Sequence, residues 1–226
     1  MPRLDVWLVK TEQFSSRQAA KRAINDGLVI VNGEKCKPSK QVSEKDTIEI
    51  MSHDSDFPIG FKKLKEIDER LNGNLFKLPC LALDIGSSAG GFLTYLAKKG
   101  VEAVGIEVSN RFTENLHSII EEYPRISVII ADAFEMDPTI ITKPGSLDVL
   151  LVDVTTDPEG TLTLIDRFSN LLKKEGWMLA AFKVNPSDVE VITGFKKSIF
   201  QMGYERIHEI CLDTTRQEVH IVASRT

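Results

Sequence analysis

Residues 81–92, LALDIGSSAGGF, lead a strand-like apolar run into an aspartate and then into glycines and serines. Such a turn can cradle a nucleotide-like ligand. A P-loop needs Gly-Lys-Ser/Thr at its end, but Gly90-Gly91 is followed by Phe92. A dinucleotide loop needs a middle glycine that Gly86-Ser87-Ser88-Ala89-Gly90-Gly91 lacks. An anionic Asp84 at the strand end suits a cationic group better than a pyrophosphate. Further acids follow at the ends of the next strand-like runs: Glu107, placed to accept from ribose hydroxyls, then Asp132 beside Ala133, placed for an adenine amino group. S-adenosylmethionine has an ammonium, a sulfonium and no phosphate, so it is the expected cofactor, with NAD as the structural competitor. The candidate contacts are Asp84, Gly86, Ser87, Ser88, Gly90, Gly91, Phe92, Glu107, Asp132, Ala133 and Asp153.

These residues need a sheet to position them. From residue 61 strand-like and helix-like runs alternate: CLALDI, AVGIEV, ISVIIAD, DVLLVDV and WMLAAFKV (177–184), with helices between, one of them near 159–174. Alternation implies a mainly parallel sheet covered by helices on both faces. The chain closes on two strands, YERIHEICL and EVHIVAS, joined by a short loop. The expected fold class is therefore α/β: a Rossmann-like, seven-stranded sheet with an antiparallel last strand, as in class I methyltransferases.

Residues 1–50 form a different, α+β pattern. Leu4, Trp7 and Leu8 share a helical face. A second helix is expected from a Ser15/Gln18 capping box to Gly27, burying Ala19, Ala20, Ala23 and Ile24 while Arg17, Lys21 and Arg22 share another face. Asn32-Gly33 predicts a tight hairpin, and residues 47–50 a further strand. The pattern RLD…SRxxA…GxVxVNG resembles the S-four RNA-binding domain over residues 2–50. The resemblance implies an RNA surface on the second helix and hairpin, with Arg3, Arg17, Gln18, Lys21, Arg22 and Lys35 on phosphates. Polar residues 51–60, with Pro58 and Gly60, read as a linker between this domain and a second one at 61–226.

DIGSSAGGF resembles the signature loop of FtsJ-like and TlyA-like ribose 2′-O-methyltransferases. Those families carry a Lys-Asp-Lys-Glu set, and each member has a local counterpart: Lys63 in KKLKEIDER, Asp153 in DVLLVDV, Lys183 in FKV and Glu218 in TRQEVHIVA. The resemblance implies that Lys183 aims or deprotonates the acceptor hydroxyl, while Asp153 and Glu218 hold the lysine pair. Three departures stand out. Pro58-Ile59-Gly60-Phe61-Lys62 lacks the Ser-Arg of TlyA-like proteins, and Val154-Thr155-Thr156 replaces Met-Ala-Pro. His220 stands where Tyr is frequent, and it receives no role because its side chain can face away from the site.

The bulk numbers are those of an ordinary globular chain and allow one domain, or a small one plus a medium one. The chain has 226 residues and a net charge of −5. Residues 1–50 hold nine Lys/Arg against seven Asp/Glu, and the remainder nineteen against twenty-six, so the N-terminal part is the one suited to a polyanion. Cys36, Cys80 and Cys211 lie too far apart for metal-ligand spacing and fit a reducing, cytoplasmic setting. No run of ~18 apolar residues predicts a membrane span, so the haemolysin name attached to TlyA-like proteins finds no physical basis in this chain. The expected function is RNA methylation on the ribose 2′-hydroxyl, with ribosomal RNA implied by the TlyA resemblance. The alternative is a non-catalytic RNA-binding factor on a degenerate methyltransferase fold.

Overall fold

Leu4 and Leu8, one helical turn apart, are both fully buried in α1 (Leu4–Lys10), with Trp7 half-buried beside them. They pack on α2 (Arg17–Asn25) through Ala20, Ala23 and Ile24. Gly27 closes α2 at φ +76°, its N–H donating to the Ile24 carbonyl at 3.0 Å, while the Leu28 N–H returns to Ala23 at 2.9 Å. Asn32 (φ +55°) and Gly33 (φ +82°) turn β1 (Val29–Val31) into β2 (Glu34–Lys35). Asn32 donates from Nδ2 to Asp46 at 2.7 Å and accepts the Thr47 N–H at 2.8 Å, which ties the turn to β3 (Ile48–Ile50). The sheet order is β2-β1-β3, antiparallel throughout.

The computed structural model describes residues 1–11, 13–14, 17–25, 27–43, 45–50 and 57–226, with the side chains of Ala19 and Arg22 outside that description. The Ser15 capping box, most of the 51–60 linker and the Arg22 contact therefore lie outside the described residues. The chain divides into two units, Met1–Asp56 and Phe57–Thr226.

The first helix of the second unit is α3 (Ile59–Arg70), so the last two residues of the segment read as linker, Ile59 and Gly60, already belong to a helix. Seven strands follow: β4 (Leu81–Ile85), β5 (Glu102–Glu107), β6 (Ile126–Ile130), β7 (Leu147–Val152), β8 (Leu172–Phe182), β9 (Tyr204–Ile210) and β10 (Val219–Arg225). Their order is β6-β5-β4-β7-β8-β10-β9, and β10 runs antiparallel to both neighbours. The alternating helices are α4 (Gly91–Lys98), α5 (Thr113–Glu122), α6 (Pro158–Ser169) and α7 (Val189–Gln201). One boundary differs from expectation. Helix α6 stops at Ser169, and residues 172–174 together with Glu175-Gly176 belong to a longer β8. The charges of Lys173, Lys174 and Glu175 hid the strand's exposed start.

Period-two alternation divides the core. Ala82, Val149, Leu151, Leu179 and Val222 face α3, α4 and α5, while Leu83, Ile85, Leu150, Val152, Phe182 and Ile221 face α6 and α7. Helix α3 is held firmly on its side. Gly91 allows the close approach, since a Cβ there would stand 2.7 Å from the Phe61 nitrogen. Buried Asp68 accepts from Tyr95 Oη at 2.7 Å and pairs with Lys99 Nζ at 3.0 Å. Among the described residues no helix is long and apolar enough to cross a membrane.

Candidate active site at the strand ends

The C-terminal ends of β4, β5 and β7 open onto a cleft of about 400 Å³ lined by Ile85, Gly86, Ser88, Glu107, Ala133 and Asp153, among others. Gly86 sits at φ +91°, and a Cβ there would lie 2.5 Å from the Asp153 carbonyl oxygen. No other residue fits that approach. Glu107 is buried and holds the loop in place: the Ser88 N–H donates to Oε2 at 2.7 Å and the Ser109 N–H to Oε1 at 2.7 Å. Asp132 lines the exposed rim and accepts the Phe134 N–H at 2.9 Å, next to buried Ala133.

Asp84 lies one layer below the lining. It is 1 % exposed, and neither carboxylate oxygen has a hydrogen-bond partner. Burial pushes its carboxyl up to about 7; the nearby charges of Asp153 and Glu107 add to the rise, and Ser87 opposes it. The Ser87 hydroxyl itself donates to the Asp84 main-chain carbonyl at 3.1 Å.

Four of the expected loop contacts do not line this cleft. Ser87 is turned inward against β5, where Gly105 leaves it room. Gly90 (φ +78°) packs against Ile119 of α5, Gly91 against α3, and Phe92 is buried in the core. Their small size or bulk serves helix packing. The sequence pattern alone could not separate that duty from ligand approach.

The four residues drawn from separate stretches converge. Lys63 Nζ lies 2.7 Å from Asp153 Oδ2 and 2.8 Å from Glu218 Oε1. Lys183 Nζ lies 3.0 Å from Asp153 Oδ1 and pairs with Glu218 Oε2. The result is a closed, charge-balanced ring in which each carboxylate bridges both ammoniums. The fold dictates it: Val219 pairs with Phe182 across β10 and β8, which brings Glu218 beside Lys183. The Asp153 N–H donates to the Ile85 carbonyl at 3.0 Å, fixing the end of β7 against β4. Burial works to raise Asp153, but Lys63 and Lys183 outweigh it and hold its carboxyl below the usual range. Burial likewise works to raise Glu218, but bonds from His220, Lys183 and Lys63 hold it well below that range. Burial works to lower Lys183, but Asp153 and Glu218 prevail, and its ammonium is held above the ordinary lysine value.

His220 corrects the sequence reading. It faces the site, 1 % exposed, with Nε2 3.2 Å from Glu218 Oε1. Glu218, His220 and Val222 share one face of β10 by alternation, the α3 face, and that period-two pattern was the available signal. A second, open cleft of about 630 Å³ lies on this side, lined by Lys62, Lys63, Arg216, Glu218 and His220 among others. The ring therefore borders both clefts. Among the described residues no cluster of His, Cys, Asp or Glu could hold a metal ion.

The N-terminal unit has its own charged centre. Fully buried Asp5 pairs with Arg3 at 3.0 Å, Arg17 at 3.0 Å and Lys21 at 3.9 Å, and all three cations remain about half exposed. Burial works to raise Asp5, but Arg3 and Arg17 hold its carboxyl below the ordinary range. Gln18 is exposed on the same helix. Lys35 stands apart from the cluster, with its side-chain end over Gly27.

Comparison with known proteins now adds to this geometry. A protein put forward as a hemolysin, from Streptococcus thermophilus, is similar at 19% identity and TM-score 0.60, covering 100% of this chain and 88% of that one. Fibrillarin of Methanococcus jannaschii, described as a pre-rRNA processing protein, aligns at 21% identity and TM-score 0.59 over 89% of this chain and 84% of its own. Aeropyrum pernix fibrillarin, with natively bound S-adenosyl-L-methionine, aligns at 23% identity and TM-score 0.56 over 70% and 74%. A search of curated proteins by sequence returns no match. The S4 domain model matches residues 2–48, and the FtsJ-like methyltransferase model matches residues 60–225. With that second match spanning most of its length, the chain belongs to the FtsJ-like methyltransferase family and carries an S4 domain at its N-terminus.

Proposed function

We propose that the protein transfers a methyl group from S-adenosylmethionine to a ribose 2′-hydroxyl of ribosomal RNA. The observation that carries this reading is the closed ring of Lys63, Asp153, Lys183 and Glu218 bordering two clefts. One cleft suits the cofactor and the other an acceptor.

The residues present fit the cofactor. Asp84 has two buried oxygens without partners, and an ammonium would supply them and return the group to its anionic form. Glu107 spends one lone pair of each oxygen on backbone amides and keeps others for ribose hydroxyls. Gly86 and Ser88 would give backbone approach, and Asp132 and Ala133 would lie on the side of an adenine. When bound, the cofactor supplies an electrophilic methyl group on a sulfonium.

The chain's own residues then orient the acceptor. Lys183 is held cationic, so its ammonium donates to the acceptor oxygen and aims it across the ring. Lys63 neutralises the far side of the same two carboxylates, so Lys183 keeps a fixed direction. Arg3, Arg17, Gln18, Lys21, Arg22 and Lys35 contact RNA phosphates; such contacts position the polymer without reading its sequence. Two findings support RNA as acceptor: the fold shared with a pre-rRNA processing protein and the S4 domain match at residues 2–48.

The test is tritium transfer from labelled S-adenosylmethionine to bulk ribosomal RNA. The wild type incorporates label and Lys183→Ala does not. Cofactor binding without incorporation into any RNA would instead favour a non-catalytic RNA-binding factor.

A further inference from the structure

We propose that the cleft between the C-terminal end of α3 and Trp177 of β8 takes up an unpaired nucleotide of the substrate RNA, as an RNA contact separate from the S4 domain. This rests on the RNA-acceptor reading above. The cleft measures about 500 Å³ and is lined by Arg70, Asn72, Asn74, Lys77, Trp177 and His208, among others. That is the size of a small-ligand site. Among the described residues no acid lines it.

Two aromatic rings define what fits. On β10, Ser224 pairs with Trp177 of β8, and Val222 pairs with His208 of β9. The two rings therefore stand on the strands either side of β10, with centroids 6.5 Å apart and planes tilted by 33°. They are not stacked on each other. Trp177 packs against the α3-side core and stays half-buried, while His208 is exposed. Trp177 also borders an adjoining cavity of about 260 Å³. An indole that lines two cavities offers a flat apolar surface, and an unstacked base is the matching shape.

The charges select a nucleotide over a neutral aromatic. Residues 51–226 as a whole are acidic, with nineteen Lys/Arg against twenty-six Asp/Glu. The two cavities reverse that balance, with Arg70, Lys77, Lys173, Lys174 and Arg206 against Asp148 and Glu175. Three of these cations are engaged. Lys173 pairs with Asp148 at 2.7 Å, Arg206 with Glu205 at 3.4 Å, and Arg70 with Glu66 at 2.6 Å and the Cys211 carbonyl at 2.8 Å. Lys77 and Lys174 are exposed and have no ion pair among the described residues, so they remain for a phosphate.

Position points to the RNA chain as the source of that nucleotide. The Glu66–Arg70 pair stands between this cleft and the acceptor cleft, with Glu66 lining one and Arg70 the other. From Lys63 to Arg70 α3 rises about 10 Å. A strand with its ribose at the ring and its chain laid along α3 covers that distance in about three nucleotides at ~3.4 Å each.

The protein has two tryptophans, Trp7 and Trp177, so Trp7→Phe leaves Trp177 as the sole indole reporter in the full chain. Octa-adenylate RNA should quench its fluorescence to saturation. Lys77→Ala with Lys174→Ala should weaken that binding about 10-fold and lower the salt slope by about 1.4. Absence of quenching, equal quenching by adenosine monophosphate at the same concentration, or an affinity untouched by the two lysine changes overturns the proposal. A second readout is methyl transfer to bulk ribosomal RNA. Trp177→Leu keeps an apolar side chain on the core and removes the flat ring, so KM for RNA should rise about 10-fold while kcat holds. An unchanged KM, or a fall in kcat alone, overturns it. If the wild type methylates no RNA, the acceptor reading fails, and the quenching titration still decides whether the cleft binds a base.

Discussion

The two charged centres of this protein share ingredients and differ in balance. Around Asp5, one buried carboxylate faces three half-exposed cations. Around Asp153 and Glu218, two carboxylates face two lysines whose side chains are 12% and 32% exposed. An unbalanced, exposed cluster keeps positive charge for an outside polyanion. A balanced, sheltered ring keeps none, so its value lies in fixing where each atom points. Long-range attraction and short-range aim are thus assigned to different parts of one chain.

The sharpest way to break this contrast is to unbalance the ring. Lys183→Ala removes the aiming cation and should lower methyl transfer about 10³-fold or more, measured as label incorporated per minute. Lys63→Met should unfold the second unit more easily, by about 2 kcal/mol in urea titration, because two partly buried carboxylates lose a shared partner. A stability unchanged by Lys63→Met would mean that the ring's closure contributes nothing.

Asp84→Asn probes the cofactor side. The folded carboxyl sits at about 7, above its unfolded value near 4, so the folded state binds the proton more tightly. Its penalty on stability therefore grows as pH rises from about 4 to about 7 and stays in force above that. The variant should raise Tm by about 5 °C at pH 8 without cofactor, and it should weaken cofactor binding in calorimetry. The ring follows the opposite rule. Asp153 and Glu218 are depressed, so their contribution is present above pH ~4 and is lost on further acidification. Lys183 is raised, so its contribution is present below pH ~10 and lost as pH climbs through its folded value. Urea midpoints measured across pH check both signs.

Much of this arrangement could be read in the residues, and the failures have physical causes. The acids at Glu107 and Asp132 reach the cleft because a parallel sheet delivers its strand ends to one edge. The strand limits near Leu172 were not legible, because Lys173, Lys174 and Glu175 are exposed there and show no apolar period. Gly91 and Phe92 pack α3 and α4, a demand that comes from the neighbouring helix and leaves no mark in the loop itself. His220 was misjudged although simple alternation from Val222 put it on the α3 face.

The smallest effects belong to the N-terminal cluster. Arg17→Ala should weaken RNA binding about uniformly across sequences and reduce the salt slope by about 1. Asp5→Asn removes the one anion, so RNA affinity holds or rises while the unit loses about 1 kcal/mol of stability. A fall in affinity for Asp5→Asn would show that the carboxylate's geometry, and not the surplus charge, makes the surface.

Where the methyl group lands decides most directly whether this protein modifies the ribose. Ribosomal RNA labelled by the purified protein from tritiated S-adenosylmethionine should be hydrolysed in alkali and the products separated. Ribose methylation puts the label in alkali-resistant dinucleotides, the mark of a blocked 2′-oxygen, and none is expected with Lys183→Ala. Label in ordinary mononucleotides, or label that survives that substitution, would contradict it.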